Sequence, residues 1–492
     1  MSAYKELKEI FYKNKLISDI DSILNWDLST MMPKKTRKHR AKQLSFLNNL
    51  KHEIFNNKKI KNLFEKVVMN NLDIKDKANF LEMKKEYEYF KILPKELIEK
   101  KVILSASCEG KWRKAKILSN FNIVKDDLEK LTSFVKEESK ILSDFYECSP
   151  YDALLKKYDT SYNSKEIKVF FDELLPFIMT VYEKVIEKQK KIKIFPIKKN
   201  LSEKQQFILS NHFMKKIGFD FNKGRIDLSA HPFCGGAVDD IRITTRINKN
   251  DSFSAFDAVI HETGHALYEL GLPKKWKYQP AGKSGGMALH ESQSLFWEMH
   301  ITKSLEFRDY LSSTIRKLFS LKGKEWSGEN LYNIANLVEK KFIRVESDEI
   351  TYPLHIILRF NIERQIIDNK IKISELPDVW NNEFKKFFKF DVINDSDGCL
   401  QDIHWFTGDI GYFPTYSIGA MLAAQFKCKL DNENENIKDL IFKGKFKFLK
   451  KWLHKNIHNK ASFFSTKQIV KQVTLSSLSA KFLKNHIKNK YL

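Results

Sequence analysis

The segment from His261 to His265 has the residue types and the spacing of a metal site with a general base. His261 and His265 are four residues apart, so that on an α-helix their imidazoles lie on one face and can bind the same ion. Glu262 lies about 100° around the helix axis from His261, close enough to hold a water molecule without binding the ion. Two imidazoles that hold Zn²⁺, beside a carboxylate that accepts a proton from water, are the arrangement of a zinc peptidase. The spacing therefore predicts metal-dependent hydrolysis, with Glu262 as the base.

A catalytic zinc ion needs a third protein ligand and one open position. Glu291 is the leading candidate, because two glycines interrupt the chain just before it and a second helix can begin there and return antiparallel to the first. A carboxylate in the first turn of that helix is also favoured by the helix dipole. Asp257 and Glu269 compete for the same role, although Asp257 shares the face of His261 and could instead hydrogen-bond an imidazole.

The helix that carries the two histidines has signals at both ends. Asp251 or Ser252 can accept hydrogen bonds from its first N–H groups, and Gly271 followed by Pro273 ends it. Apolar residues at helical spacing between these positions predict a buried helix. Two histidines and a glutamate inside such a helix need bound partners, which supports the metal site.

Further motifs make the chain resemble the carboxypeptidase Taq family of zinc metallocarboxypeptidases along nearly its whole length. A weaker match runs from Trp26 to Pro33, and the chain departs from the family in its lysine content and at Ser347, where the family usually has alanine. The segments that carry the resemblance, in the order of the family, are 231–233, 240–244, 261–265, 290–293, 343–352, 398–405 and 411–416.

The resemblance implies a mainly helical single domain around a deep substrate groove, a homodimer, and removal of C-terminal residues from peptides. It also implies that Glu291 is the third metal ligand and that Glu262 is the base. One Zn²⁺ per chain is expected, and Co²⁺ or Mn²⁺ could replace it because these ligands admit several ions.

Release of a C-terminal residue requires a fixed cation for the free carboxylate, and the fork of an arginine fits that group better than a lysine does. Arg344 is our candidate, because it lies in the densest polar motif of the chain and a helix from about Tyr332 to Tyr352 would surround it with acidic residues. The alternative is a structural ion pair between Arg344 and Asp348, four residues on. The further candidates are Arg242, Arg359 and Arg364.

Hydrolysis also requires a donor for the oxyanion that forms at the scissile carbonyl. Tyr416 or Tyr412, in a loop shaped by glycine and proline, fits this role, and the resemblance favours Tyr416. Asp402 and His404 are expected either to line the substrate pocket or to hydrogen-bond the residues that line it. His231 is a candidate catalytic residue beside the substrate chain, with bracing of its own loop as the alternative.

The elements that position these residues form one domain, 1–492. Residues 1–200 have apolar residues at helical spacing and faces of lysine and glutamate, which predicts a helical wall. Residues 218–419 are expected to form the catalytic core, and residues 420–492 to form basic C-terminal helices. Alternating apolar and polar residues within 225–247 predict a small β-sheet beside the zinc-binding helix, to which a peptide substrate could add its backbone. Glu363 is expected to face solvent.

The net charge of +24 raises the alternative of a nucleic-acid-binding protein, because residues 441–492 hold thirteen lysines and no acidic residue. The strong preference for lysine over arginine runs through the whole chain and indicates compositional drift, and this segment has no arginine for bidentate phosphate contacts. Peptides are therefore the expected partners, and nucleic acid is not. The competing enzyme class is a zinc endopeptidase or aminopeptidase with the same ligands.

The remaining features of the sequence indicate where in the cell the protein is expected. The sequence contains no run of eighteen apolar residues, so we expect no membrane span. The first residues carry charge without an apolar signal core, and the five scattered cysteines have no paired spacing. We therefore expect a cytoplasmic protein with reduced thiols.

Overall fold

The computed structural model describes residues 2–229 and 231–492, and most of them are helical. A π-helical turn, Phe296–Thr302, continues the eleventh helix, and 3₁₀ turns occur at Arg344–Glu346 and His404–Thr407. The helices are α1 (Ala3–Ser29), α2 (Arg37–Asn56), α3 (Lys58–Lys66), α4 (Ile74–Ile92), α5 (Lys95–Leu118), α6 (Lys125–Tyr146), α7 (Pro150–Leu155), α8 (Ser164–Gln189), α9 (Glu203–Ile217), α10 (Ser254–Leu270), α11 (Met287–Leu295), α12 (Leu305–Phe319), α13 (Gly328–Ala335), α14 (Tyr352–Ile367), α15 (Leu376–Phe388), α16 (Pro414–Glu433), α17 (Ile437–Phe442), α18 (Lys447–Asn456), α19 (Thr466–Thr474) and α20 (Ala480–Tyr491).

The small sheet lies beside α10 and has three strands, β1 (Ile226–Leu228), β2 (Cys234–Ala237) and β3 (Asp240–Thr245), in the order β1-β3-β2. β3 is parallel to β1 and antiparallel to β2. Ile241 and Ile243 of β3 pack against Val259 and Ala266 of α10, which joins sheet and helix through one apolar cluster. The predicted fold class, mainly helical with a small sheet beside the helix of the two histidines, is confirmed.

Local signals account for the start of α10. Asp251 accepts hydrogen bonds from the backbone N–H groups of Phe253 (2.8 Å) and Ser254 (3.1 Å), so of the two predicted candidates it is the one that bonds the start of the helix, although the N-cap position itself is Phe253. The hydroxyl of Ser252 instead bonds Asn200 and accepts from the backbone of Leu201. The helix ends at Gly271, as its sequence predicts.

The predicted helix from Tyr332 to Tyr352 is wrong. α13 ends at Ala335 and α14 begins only at Tyr352, with a single 3₁₀ turn between them. The side chain of Asp348 accepts hydrogen bonds from the backbone of Ile350 and Thr351, both at 2.9 Å, and so starts a new turn in place of continuing a helix. Pro353, which has no N–H to donate, fits the first turn of α14 and not a helix interior.

Within the described residues, no helix combines the length and the apolar character needed to cross a bilayer. All five cysteines are free thiols, and Cys108 and Cys399 are buried. The largest apolar core joins α5–α9 of the N-terminal part to α10–α20, so the predicted wall region and the predicted catalytic core share their buried residues.

Candidate metal centre

The three predicted metal ligands, His261, His265 and Glu291, converge on one point. Each offers a ligand atom, and these atoms all lie within 4.8 Å of one another, the one such group of histidine, cysteine and acidic residues in the described part of the chain. Oε2 of Glu291 is 4.0 Å from Nε2 of His261 and 3.6 Å from Nε2 of His265. Two imidazole nitrogens and a carboxylate oxygen are a donor set that fits Zn²⁺ and several other divalent ions.

Two glycines allow the ligand-bearing helices to approach closely. A Cβ on Gly264 of α10 would lie 2.5 Å from Cα of Ser294 and 2.6 Å from the carbonyl oxygen of Gln293, both on α11. A Cβ on Gly419 of α16 would lie 2.8 Å from the side chain of Glu291. Because real Cβ atoms do not come so close to other atoms, any larger residue at either glycine would move α11 and Glu291 away from the histidines.

His261 is oriented by Glu298 in the π-helical turn. Nδ1 of His261 lies 2.8 Å from Oε2 of Glu298, whose other oxygen accepts a hydrogen bond from Lys303 at 2.9 Å. Burial raises the pKa of Glu298, but Lys303 and His261 lower it by more, so its pKa lies well below the ordinary range. An ionised Glu298 requires the proton of His261 on Nδ1 and leaves the lone pair of Nε2 for a metal ion.

His265 is oriented by a longer chain of hydrogen bonds. Its Nδ1 lies 2.7 Å from Nδ1 of His290, and Nε2 of His290 lies 2.8 Å from Oε1 of Glu269. If Nε2 of His265 is to bind a cation, Nδ1 must donate to His290, which then donates from Nε2 to Glu269. One arrangement of protons thus satisfies every group in the chain from Glu269 to His265.

The charges of this group favour a cation. Burial lowers the pKa of His261, but Glu298 and Glu291 raise it by more, to about 10. The same negative surroundings that attract a proton to His261 would attract a divalent ion to it. His265 has a pKa well below its ordinary value because of burial and the neighbouring His290, so its imidazole is neutral and available as a ligand.

The two alternative ligands named from the sequence have other partners. Asp257 accepts a hydrogen bond from Arg308 at 3.1 Å and not from His261, so the expectation that it orients an imidazole is wrong. Glu269 contacts His290, and only through His290 does it reach the metal ligand His265. The residue that does orient His261 is Glu298, whose position seven residues after Glu291 places both on one helical face, a signal the sequence analysis did not use.

Glu262 is the residue after the metal ligand His261 and is buried, with 7% of its surface exposed. Burial raises its pKa to about 7, and the charges of Glu291 and Glu298 add to that rise while His261 opposes it. Its position one residue after a ligand, within reach of the charges of His261 and Glu291, suits a base that holds water.

Arg344 is fixed by a carboxylate and a phenol. Its Nε and Nη2 donate to Oδ1 of Asp402 at 3.0 and 2.8 Å, and its Nη1 donates to the hydroxyl of Tyr352 at 2.9 Å. The guanidinium also lies over the ring of Tyr416, 4.8 Å from its centroid. Of five N–H groups on an arginine, three are used here and two are left for another acceptor. The alternative pairing of Arg344 with Asp348 does not form.

Arg359, one of the further candidates for carboxylate binding, lies behind Arg344. It is fully buried and donates from Nε to Oδ2 of Asp402 at 2.7 Å. Asp402 therefore accepts from two guanidinium groups, one on each oxygen, and holds Arg344 in place. Burial raises the pKa of Asp402, but the two arginines lower it by more, so its pKa lies well below the ordinary range.

His404, Tyr412 and Tyr416 form an aromatic cluster next to Arg344 and the metal ligands. The hydroxyl of Tyr416 lies 3.3 Å from Nε2 of His404, and the rings of the two tyrosines are 5.3 Å apart. Burial raises the pKa of Tyr416 to about 12, with a further rise from the charge of Glu291, so the hydroxyl is a donor at neutral pH. Burial raises the pKa of Glu291, and the charge of Arg344 is among those that oppose the rise, so the guanidinium lies close enough to the metal group to act on its carboxylate.

His231 and Arg242 lie outside this cluster. His231 is exposed, and the charges that act on it belong to Arg246, Lys116 and Arg113. Arg242 donates from Nε to Asp240 at 2.9 Å, and its guanidinium lies 5.9 Å from the ring of Trp26. Their proposed roles in catalysis and substrate binding stay predictions.

A cavity of about 360 Å³ adjoins the metal group on the side of Glu269 and His290. Its other walls come from strand β2, from α1 through Phe11 and Asn14, and from residues 277–284. The space is large enough for several side chains of a bound peptide, and it lies next to the sheet that the sequence analysis predicts as a substrate contact.

Known proteins resemble this chain both in sequence and in structure. Residues 6–491 match the model of the carboxypeptidase Taq (M32) metallopeptidase family. Carboxypeptidase 1 of Bacillus subtilis (strain 168) is 32% identical over 490 residues, covering 99% of this chain and 97% of its own. Thermostable carboxypeptidase 1 of Pyrococcus furiosus is 31% identical over 493 residues, covering 99% and 98%. The structure of Trypanosoma cruzi metallocarboxypeptidase 1 is similar with a TM-score of 0.97 at 32% identity, covering 99% of both chains. The chain therefore belongs to the carboxypeptidase Taq (M32) metallopeptidase family.

Proposed function

We propose that this protein is a zinc-dependent carboxypeptidase that releases C-terminal residues from peptides by attack of water, with Glu262 as the general base. The observation that carries the proposal is the placement of Arg344, with two unused N–H groups, next to the group formed by His261, His265 and Glu291. The relatives named carboxypeptidases support the same activity for this chain.

The chemistry divides among the residues of the site. His261, His265 and Glu291 would hold the ion, which when bound would supply Lewis-acid activation of the scissile carbonyl and of the attacking water. Glu262 accepts the proton of that water and passes it to the leaving amine. Tyr416 donates a hydrogen bond to the oxyanion, since its raised pKa keeps the hydroxyl protonated.

Arg344 accounts for action at the C-terminus. Asp402 and Tyr352 hold its guanidinium before substrate arrives, so that binding a carboxylate costs little side-chain entropy. The two unused N–H groups match the two oxygens of a free C-terminal carboxylate. The last peptide bond would then lie over the metal group.

Four finer proposals accompany this function. We infer a homodimer from the family resemblance alone. A cytoplasmic location is supported by five free cysteines, because such thiols suit a reducing compartment. One domain spanning 1–492 is supported by the apolar core that both halves share. Co²⁺ or Mn²⁺ would fit the same donors as Zn²⁺.

The test uses two peptides of the same sequence, one with a free C-terminus and one amidated. Carboxypeptidase action predicts that amidation lowers kcat/KM at least about 100-fold, because Arg344 loses a charge-assisted bidentate contact. Equal rates on both peptides would identify an endopeptidase or aminopeptidase instead. Removal of the metal with a chelator, followed by recovery with Zn²⁺, provides the control for metal dependence.

A further inference from the structure

Glu363 on α14 is a buried carboxylate that the proposed mechanism does not use. The expectation that it faces solvent is wrong, because its residue exposure is 0%. Oε2 accepts hydrogen bonds from the hydroxyl of Tyr151 at 2.7 Å and from the backbone N–H of Gly411 at 3.1 Å. Oε1 accepts from Nε1 of Trp405 at 2.8 Å.

The three donors come from parts of the chain that are far apart in sequence. Tyr151 belongs to α7, in the N-terminal part of the protein. Trp405 and Gly411 belong to the segment 404–416, which also carries His404, Tyr412 and Tyr416. Glu363 thus fixes this segment at two points, each one residue away from a member of the aromatic cluster.

A carboxylate is the side chain that this position requires. An ionised glutamate only accepts hydrogen bonds, and its three neighbours are all donors. A glutamine has the same shape, but its NH₂ would meet at least one of those donors and leave it unsatisfied. Burial raises the pKa of Glu363 to about 7 while the hydrogen bonds from Tyr151, Trp405 and Gly411 oppose the rise, so the carboxylate form, which accepts on both oxygens and donates on neither, dominates above that pH.

The turn at Gly411 is seated against α7. Its φ of +92° is a left-handed conformation that favours glycine, and a Cβ there would lie 3.2 Å from the backbone of Leu154 and Leu155. This close approach aims the N–H of Gly411 at Glu363 and places Tyr412 directly after the turn.

We propose that Glu363 is a positioning residue for peptide hydrolysis, whose carboxylate fixes the segment 404–416 and so holds His404, Tyr412 and Tyr416 against the metal group. The catalytic consequence rests on the proposed function. The oxyanion donor must reach its acceptor to within hydrogen-bond distance, and a shift of about 1 Å can cost about 100-fold in rate. None of the metal ligands lies in this segment, so metal binding does not depend on Glu363.

Two variants test the proposal, measured at pH 8 where Glu363 is ionised. Glu363→Gln is expected to lower kcat for a blocked dipeptide about 100-fold, and Tyr151→Phe, which removes one donor, about tenfold. Both should keep the wild-type metal content. Hydrogen exchange of the Gly411 amide should be about tenfold faster in Glu363→Gln, because that amide loses its acceptor.

Tyr162→Phe is the matched control. Tyr162 is also a buried tyrosine of the N-terminal part, but its hydroxyl has no hydrogen-bond partner among the described residues. We expect its kcat and its Gly411 exchange to stay within about twofold of wild type, because the substitution removes a hydroxyl that bonds nothing in the segment 404–416.

Each outcome decides one question. Unchanged exchange and unchanged kcat in both Glu363→Gln and Tyr151→Phe would overturn the proposal, and so would faster exchange without any fall in kcat. If Glu363→Gln does not fold, the kcat of Tyr151→Phe decides, and an unchanged kcat at wild-type metal content would overturn the proposal. A wild-type protein without carboxypeptidase activity would refute the proposed function, while the exchange experiment would still report whether Glu363 fixes the segment.

Discussion

Nδ1 of His265 lies 2.7 Å from Nδ1 of His290, so a metal ligand takes its orientation from a second histidine and only through it from the carboxylate of Glu269. His261 has the shorter arrangement, in which Glu298 contacts the ligand directly. Both arrangements fix the tautomer that leaves Nε2 free for a metal ion.

We predict that His290→Ala weakens Zn²⁺ binding about 10- to 100-fold, because His265 loses the partner that fixes its tautomer and orientation. Competition with a coloured chelator measures the dissociation constant directly. Glu269→Gln should weaken binding in the wild-type protein and have little further effect in His290→Ala, since both act through one chain of hydrogen bonds. His212→Ala, a half-buried histidine of α9, is the control, and an equal loss of affinity there would contradict the prediction.

Replacing Glu262 should separate metal binding from hydrolysis. Glu262→Gln removes the base but none of the three ligands, so the variant is expected to keep one Zn²⁺ per chain and to lose at least about 100-fold in kcat. Metal analysis and the release of C-terminal amino acids from blocked dipeptides are measured on the same preparations. Retention of most of the activity would show that another group takes the proton.

Asp402→Asn should reduce stability as well as activity. The variant leaves the buried Arg344 and Arg359 without their shared counter-charge, a change that costs about 3–5 kcal/mol of unfolding free energy. The pH dependence follows from the lowered pKa of Asp402. Its stabilisation is fully present above the unfolded-state value of about 3.9 and is lost as pH falls through the lower folded value. Urea unfolding at pH 7 and pH 3 should therefore show a smaller difference between variant and wild type at pH 3.

Gly264→Ala should damage both the fold and the metal group. The added Cβ would meet the backbone of α11 at 2.5 Å, and we expect a loss of about 3 kcal/mol in unfolding free energy together with weaker Zn²⁺ binding. Gly110→Ala is the matched control, because Gly110 is an exposed glycine inside α5 with no atom within 4 Å of the new Cβ. That control should gain about 0.5–1 kcal/mol, since alanine favours a helix over glycine. Equal effects at the two positions would show that the close approach of α10 and α11 is not required.

The elements around the site differ in how far their sequence predicts them. α10 is predicted to start after Asp251 or Ser252 and to end at Gly271, because a helix is set by periodicity and by residues within four positions. The helix expected from Tyr332 to Tyr352 fails, because the local side-chain hydrogen bonds of Asp348 override a favourable pattern.

The sequence by itself determined the donor types, the spacing of His261 and His265, and the position of Glu262 next to them, since all of these follow from one turn of one helix. Only the tertiary structure decided which distant groups complete the site. Glu298 orients His261, Asp402 joins two arginines, and Glu363 turns inward, each through partners more than thirty residues away. Such pairings depend on how helices pack, which short-range spacing does not specify.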